Sequence, residues 1–336
     1  MIREYLKLAR SFNAVLTGVS PVMGAIAVGQ ENILTLFMLF LIGFFGHTFG
    51  FVFNDIRDYK IDKSSKEISD RPLISGTISI KKAWIFAFVS MIIAFVIAMY
   101  IALDSQNLLP IGFLAISAFF IVLYDLISKK LLFMDFFVAL GIFFLILYGA
   151  SATVDSIYKV TSLAWIVCIL GSIQVLFMQI IAGGMKDIGN DFEKGAKTLA
   201  IKMGVRIIDG ELKISATFKA VAYLIQLADL IVVFLPFFII WNISTYSALE
   251  YFQWTVLTLI GILMFVLSHR LLTMKSFERV KARRLIGSHY MINFGIVPIM
   301  LMKLNPWAGL LVFFPALGFV LSNIALHGTI LQPKTM

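Results

Sequence analysis

Ten apolar runs, most of them about as long as a lipid bilayer's core is thick, leave this chain few possible folds. They lie near residues 12–30, 32–53, 82–103, 108–126, 131–151, 162–184, 214–241, 251–269, 287–303 and 306–327. A helix needs about 20 mostly apolar residues to cross the hydrocarbon layer. Of the 336 residues, 60% are hydrophobic and 14% charged, against roughly 45–50% apolar and about 25% charged in soluble domains. The excess falls in separate long runs rather than one large core. The expected fold is all-α, a polytopic transmembrane helical bundle. Only Leu304, Asn305 and Pro306 separate the last two runs, so that region reads as two spans or as one span with a re-entrant piece. Residues 1–13 carry Arg3, Lys7 and Arg10 before the first run. No small-residue cleavage site follows, so the segment reads as a retained first helix. Ile2, Leu6, Ala9 and Phe12 give its start one apolar face suited to the membrane interface.

Charge supplies the orientation. Ten spans put both termini and the loops after the second, fourth, sixth and eighth runs on one face. Of the 28 basic residues, all but Lys159 and Lys303 fall there. Basic loops stay on the cytoplasmic side, so this face is expected in the cytoplasm. The net charge of +9 is largely this asymmetry: it fits anionic membrane lipid and calls for no nucleic acid. Nothing points to an obligate protein partner. Cys168 is the only cysteine, which excludes an intrachain disulfide and a cysteine metal site. His47, His269, His289 and His327 have no paired-ligand spacing.

The long loops share the basic face, and two of them are acidic. The first reads Asn54-Asp55-Ile56-Arg57-Asp58-Tyr59-Lys60-Ile61-Asp62 and continues to Asp70-Arg71-Pro72-Leu73-Ile74-Ser75-Gly76. Nothing breaks a helix between Phe51 and Asp62, so Asn54, Asp58 and Asp62 form an i, i+4, i+8 stripe at the exit of the second span. Like charges on one stripe repel, so a positive group should offset them. The second loop, after the sixth run, holds Lys186-Asp187, then Asp191 at i+4, then Lys197. The two clusters stand at corresponding span exits, four spans apart. Several carboxylates with one amide oxygen suit Mg²⁺, which shares substrate phosphates. Arg57, Arg71, Lys129, Lys186 and Lys197 are candidates for the remaining phosphate oxygens. Such a centre beside a greasy cavity suits an isoprenyl diphosphate.

On these residues the chain resembles the UbiA superfamily of intramembrane prenyltransferases. Asn54-Asp55-x-x-Asp58-x-x-x-Asp62, the following Asp70-Arg71-Pro72-Leu73-x-Ser75-Gly76, and Asp187-x-x-x-Asp191-x-x-x-Gly195-x-Lys197-Thr198-Leu199 carry the likeness, over about residues 10–300. The resemblance implies nine helices around a lateral, lipid-open cavity capped by both motifs. It implies Asn54, Asp58, Asp62, Asp187 and Asp191 as ligands of Mg²⁺, two ions bridging the diphosphate, with the four aspartates catalytic. Asp55, Arg57, Arg71, Tyr124, Lys129, Lys186 and Lys197 would bind substrate. The family's Tyr-x-x-x-Lys element is offset here, since Tyr124 is followed by Ser128 at that spacing and by Lys129 one residue later. Residues 1–303 would form the prenyltransferase domain, as two half-bundles with one motif each. Residues 304–336 would add a C-terminal helix and tail.

The expected activity is Mg²⁺-dependent transfer of a prenyl group from a prenyl diphosphate to a lipophilic acceptor. The first motif looks much like that of enzymes acting on geranylgeranylglyceryl phosphate in ether-lipid synthesis. An aromatic acceptor such as 4-hydroxybenzoate is the alternative. A cation-coupled transporter is the rival of another class, and it predicts polar residues at mid-span and broken helices. Arg279, Lys281, Arg283 and Arg284 read as anchors for lipid headgroups. His47 shares the helical face of Asn54 and is a candidate for the acceptor pocket. His289, Tyr290 and Asn293, Asn13, Gln174 and Gln179 read as packing polars, with cavity lining as the other reading.

Overall fold

The structure is a computed structural model. It describes all residues except 64–67, 128–130, 187, 190–197, 209–210, 242–245, 277 and 331–336, and all side chains of those except Ile61. The chain is a helical bundle, and each of the ten apolar runs coincides with helix. Seven of the described helices are long and apolar enough to cross a membrane, and two shorter apolar helices, Ser11–Ala27 and Asp135–Ser151, lie among them. The first half comprises α1 (Ile2–Leu8), α2 (Ser11–Ala27), α3 (Ile33–Asp62), α4 (Ile80–Asp104), α5 (Leu109–Ile127) and α6 (Asp135–Ser151). Then come α7 (Ser162–Leu176), a β1–β2 hairpin (Arg206–Ile208, Glu211–Lys213), α8 (Ala216–Ile239), α9 (Ala248–Leu272), α10 (Arg279–Asn293), α11 (Ile296–Leu301) and α12 (Phe313–His327).

Hydroxyl side chains start several of these helices by accepting from orphan backbone N–H groups. Ser79 receives Lys82 N, Thr161 receives Ala164 N and Ser215 receives Phe218 N. Ser247 and Glu250 form a reciprocal capping box at α9, and the same Glu250, fully buried, pairs with Lys303.

Helix contact rests on small residues. A Cβ at Gly149 would stand 1.9 Å from the Pro21 carbonyl oxygen, and one at Gly24 would stand 2.2 Å from that of Ile146. The backbones of α2 and α6 therefore meet directly, the close approach that small residues permit in membrane bundles.

The ninth run departs from a simple span. α10 starts at Arg279, ahead of the apolar stretch, and the helix breaks at Phe294 and Gly295 before α11. The tenth run is a 3₁₀ stretch, Pro306–Val312, followed by α12. α12 packs on α2: Ser11 and Ser322 hydroxyls are 2.9 Å apart, and Phe12 meets Phe319 edge-on at 5.8 Å. At the chain start, Arg10 takes a left-handed backbone, φ 46°, which turns α1 away from α2.

Candidate active site

α3 is one unbroken helix of 30 residues. At 1.5 Å per residue it is roughly 45 Å long, well beyond a ~30 Å hydrocarbon layer, so its acidic end projects past the span. The stripe expected from spacing is present: Asn54, Asp58 and Asp62 all line one large cavity of about 920 Å³. Arg71, Tyr124 and Lys186 line it too.

The positive groups that offset the acidic stripe are Arg71 and Arg10. Arg71 Nη1 donates to Asp62 Oδ2 at 2.6 Å and lies 3.6 Å from Asp55 Oδ1. Arg10 Nη2 donates to the same Asp55 oxygen at 2.7 Å, and its guanidinium sits over the Phe51 ring, 4.8 Å from the centroid. The strained turn at Arg10 thus delivers a cation to the first acidic motif. Asp55 is buried and does not line the cavity. It stands 100° around the helix from Asn54, where it ties α3 to the α1–α2 turn and to the Asp-Arg-Pro segment. Expected among the substrate-binding residues, it makes the contacts of an anchor in this structure. Arg57, expected to bind substrate, is exposed and also off the cavity. Asp187, Asp191, Lys129 and Lys197 lie outside the described residues.

Sequence reasoning missed Asp125 and Asp135 as wall residues. Asp125 Oδ1 accepts from Asn54 Nδ2 at 3.0 Å. The signal available was an acid within three residues of the end of the fourth run; it lacked a motif around it. Arg279, expected at lipid headgroups, lines the cavity instead, in register with Ile286, Tyr290 and Phe294 on one face of α10 and its end. His47 lines the cavity, as its shared face with Asn54 suggested. It is 2.8 Å from Thr17 Oγ1 and stacks on Phe51 at 4.2 Å. Asn13 and Gln179 are wall residues as well. Gln174 is not, and donates to the Asn293 carbonyl at 3.0 Å.

Away from its acidic end the cavity is apolar, walled by residues such as Phe95, Leu114, Ile121, Met178 and Phe294. Part of the wall comes from Phe177–Gly183, where α7 passes into a π-helical turn. π-turns inside α-helices occur frequently at functional sites. This one presents Met178, Gln179, Ile180, Ala182 and Gly183 to the cavity, immediately before the second acidic loop. The Tyr124 hydroxyl reaches Gln179 Oε1 across the cavity at 3.5 Å.

A greasy chamber with carboxylates and guanidinium on its wall fits the first motif, while the aspartates of the second lie outside the described residues. A profile of the UbiA prenyltransferase family matches residues 13–288. The chain belongs to the UbiA prenyltransferase family. Its sequence is similar to digeranylgeranylglyceryl phosphate synthases from Pyrococcus furiosus (29% identical over 102 residues) and Methanococcus aeolicus (34% over 102 residues). Each match covers 30% of this chain and 36% of the relative, so it spans about a third of those proteins. The fold is that of solved UbiA homologues. A digeranylgeranylglyceryl phosphate synthase structure aligns over 92% of this chain and 99% of its own, with TM-score 0.60 at 21% identity. A UbiA homologue from Archaeoglobus fulgidus bound to GPP and Mg²⁺ aligns over 94% and 99%, with TM-score 0.62 at 14% identity.

Proposed function

We propose that this protein transfers a prenyl group from a prenyl diphosphate to a lipophilic acceptor, with the diphosphate held at the end of α3. The observation that carries the reading is the cavity's division. Asn54, Asp58, Asp62, Arg71 and Lys186 mark one end, and apolar residues such as Phe95, Leu114, Ile121 and Met178 line the chamber beyond.

The residues fit Mg²⁺ in part. Asn54, Asp58 and Asp62 offer a row of hard oxygen donors suited to it. Among the described residues, no three acidic, cysteine or histidine side chains converge on one point. The α3 stripe is therefore half of a site, and Asp187 and Asp191 supply the other half in this proposal, with two ions shared between them. When bound there, Mg²⁺ neutralises charge on the departing diphosphate. Arg71 holds phosphate oxygens beside Asp62, and Lys186, Lys129 and Lys197 add donors around the headgroup. The apolar walls exclude water from the allylic carbon, and the cavity's aromatic faces favour positive charge there. Asp58 or Asp62 accepts the proton that the acceptor gives up. The motifs face the cytoplasm in this reading, on the strength of the basic loops around them.

The curated relatives matched over a third of their length support geranylgeranylglyceryl phosphate as the acceptor, giving an ether-linked lipid product. The test is transfer by the purified protein from labelled geranylgeranyl diphosphate to a small panel: geranylgeranylglyceryl phosphate, 4-hydroxybenzoate, and no acceptor. Mg²⁺-dependent product with the first is expected. Product with 4-hydroxybenzoate alone would replace the acceptor, and no product with either would remove the proposal.

A further inference from the structure

The Asn54 amide has a defined direction, set by another helix. Its Nδ2 donates to Asp125 Oδ1 at 3.0 Å, and both residues line the cavity. Asp125 lies near the end of α5, whereas Asn54 lies on α3, 71 residues away in sequence. Here the Asp125 oxygen accepts, and an amide carries donors on one atom and acceptors on the other. With Asp125 holding the NH₂ group, the Asn54 carbonyl oxygen is turned away from Asp125 and left for another partner.

The second Asp125 oxygen, Oδ2, is buried and has no hydrogen-bond partner among the described residues. Burying a half-satisfied carboxylate is costly, and an apolar residue would pack the same place at less cost. Such groups in a native protein call for a functional explanation.

We infer that Asp125 is a positioning residue: it fixes the Asn54 amide so that the carbonyl oxygen, rather than the NH₂ group, meets the metal–diphosphate group. The inference rests on the function proposed above. A freely turning amide would present its donor hydrogens to a cation, which repels the ion, and would have to be ordered each time the ion binds. An outer carboxylate that orients a ligand side chain is a common device at metal sites, and its loss typically costs about 10–100-fold in metal affinity or activity.

The test is Mn²⁺ binding, followed by electron paramagnetic resonance, to the purified full chain in detergent with inorganic diphosphate as co-ligand. Asp125→Leu is expected to weaken Mn²⁺ binding by about 10–100-fold. Asp125→Asn keeps an acceptor oxygen and should fall between the two. Coupled residues are non-additive, so in an Asn54→Ala background either substitution at 125 should cause no further loss. Binding within twofold of the unchanged protein in both variants overturns the inference. So does an undiminished loss in the Asn54→Ala background, because Asp125 would then act without Asn54. Should Asp125→Leu fail to fold, Asp125→Asn carries the same comparison. No Mn²⁺ uptake by the unchanged protein is a different outcome: it removes the metal–diphosphate reading itself, before any variant is compared.

Discussion

Asp55 and Asp58 are three residues apart on α3, yet only Asp58 reaches the cavity. Asp55 is shared by Arg10 and Arg71, in contacts largely shielded from solvent. Removing one partner of a buried ion pair is expensive, about 3–5 kcal/mol. Asp55→Asn is therefore expected to lower the thermal stability of the detergent-solubilised protein by that order, while the folded fraction keeps its Mg²⁺ half-saturation. Asp58→Asn should do the reverse, melting close to the parent while transfer falls by about 10²–10³-fold, the range for losing one preorganised electrostatic group. Thermal unfolding and radiolabelled transfer on both variants check the pair, and equal melting temperatures would contradict the division of labour. Spacing on α3 was legible in the sequence because a helix fixes which side chains share a stripe. The partners of that stripe were not. Arg10 lies 45 residues from Asp55, and Asp125 lies 71 from Asn54, so only the tertiary packing of α2, α3 and α5 brings them together.

Among elements, the apolar runs and the helices agree because in lipid the run is itself the folding signal: a backbone that cannot hydrogen-bond to water forms helix wherever side chains permit. What that signal does not encode is the hydrogen-bond register within a run. The π turn at Phe177–Gly183 and the break at Phe294–Gly295 both lie inside sequence that is apolar enough to read as plain span, and both shape the cavity wall. Packing distances are equally silent. Gly24 and Gly149 differ from Gly46 only in what stands opposite them. At Gly149→Val the new side chain meets backbone of α2 that cannot rotate away, so loss of several kcal/mol or failure to fold is expected. Gly46 has open space where a Cβ would go, and it lines the cavity. Gly46→Leu should leave stability unchanged or raised by about 1 kcal/mol through helix propensity, while filling part of the chamber. Turnover with a geranylgeranyl donor should then drop more than turnover with a geranyl donor. A uniform drop across both donors would show that Gly46 does not border the tail.

For the whole molecule, the transporter rival predicted polar residues at mid-span, and α8 carries two: Gln226 and Asp229 are buried, and Asp229 Oδ1 has no hydrogen-bond partner among the described residues. Asp229 does not line the cavity, and family membership favours the enzyme. The proposed orientation rests on the charges of the loops. Lys63 follows directly on α3 beside the first motif, and Lys159 lies in the short segment between α6 and α7; both are exposed. Cys168, the only cysteine, is fully buried, so single substitutions at either lysine report without a background signal. With a membrane-impermeant maleimide, Lys159→Cys should label in intact cells. Lys63→Cys should label only after the membrane is opened, because the basic face is retained inside. Labelling of Lys63→Cys from outside would place both acidic motifs on the outer surface. It would also cut the site off from prenyl diphosphates made in the cytoplasm, which makes this measurement a test of the proposed function as well as of topology.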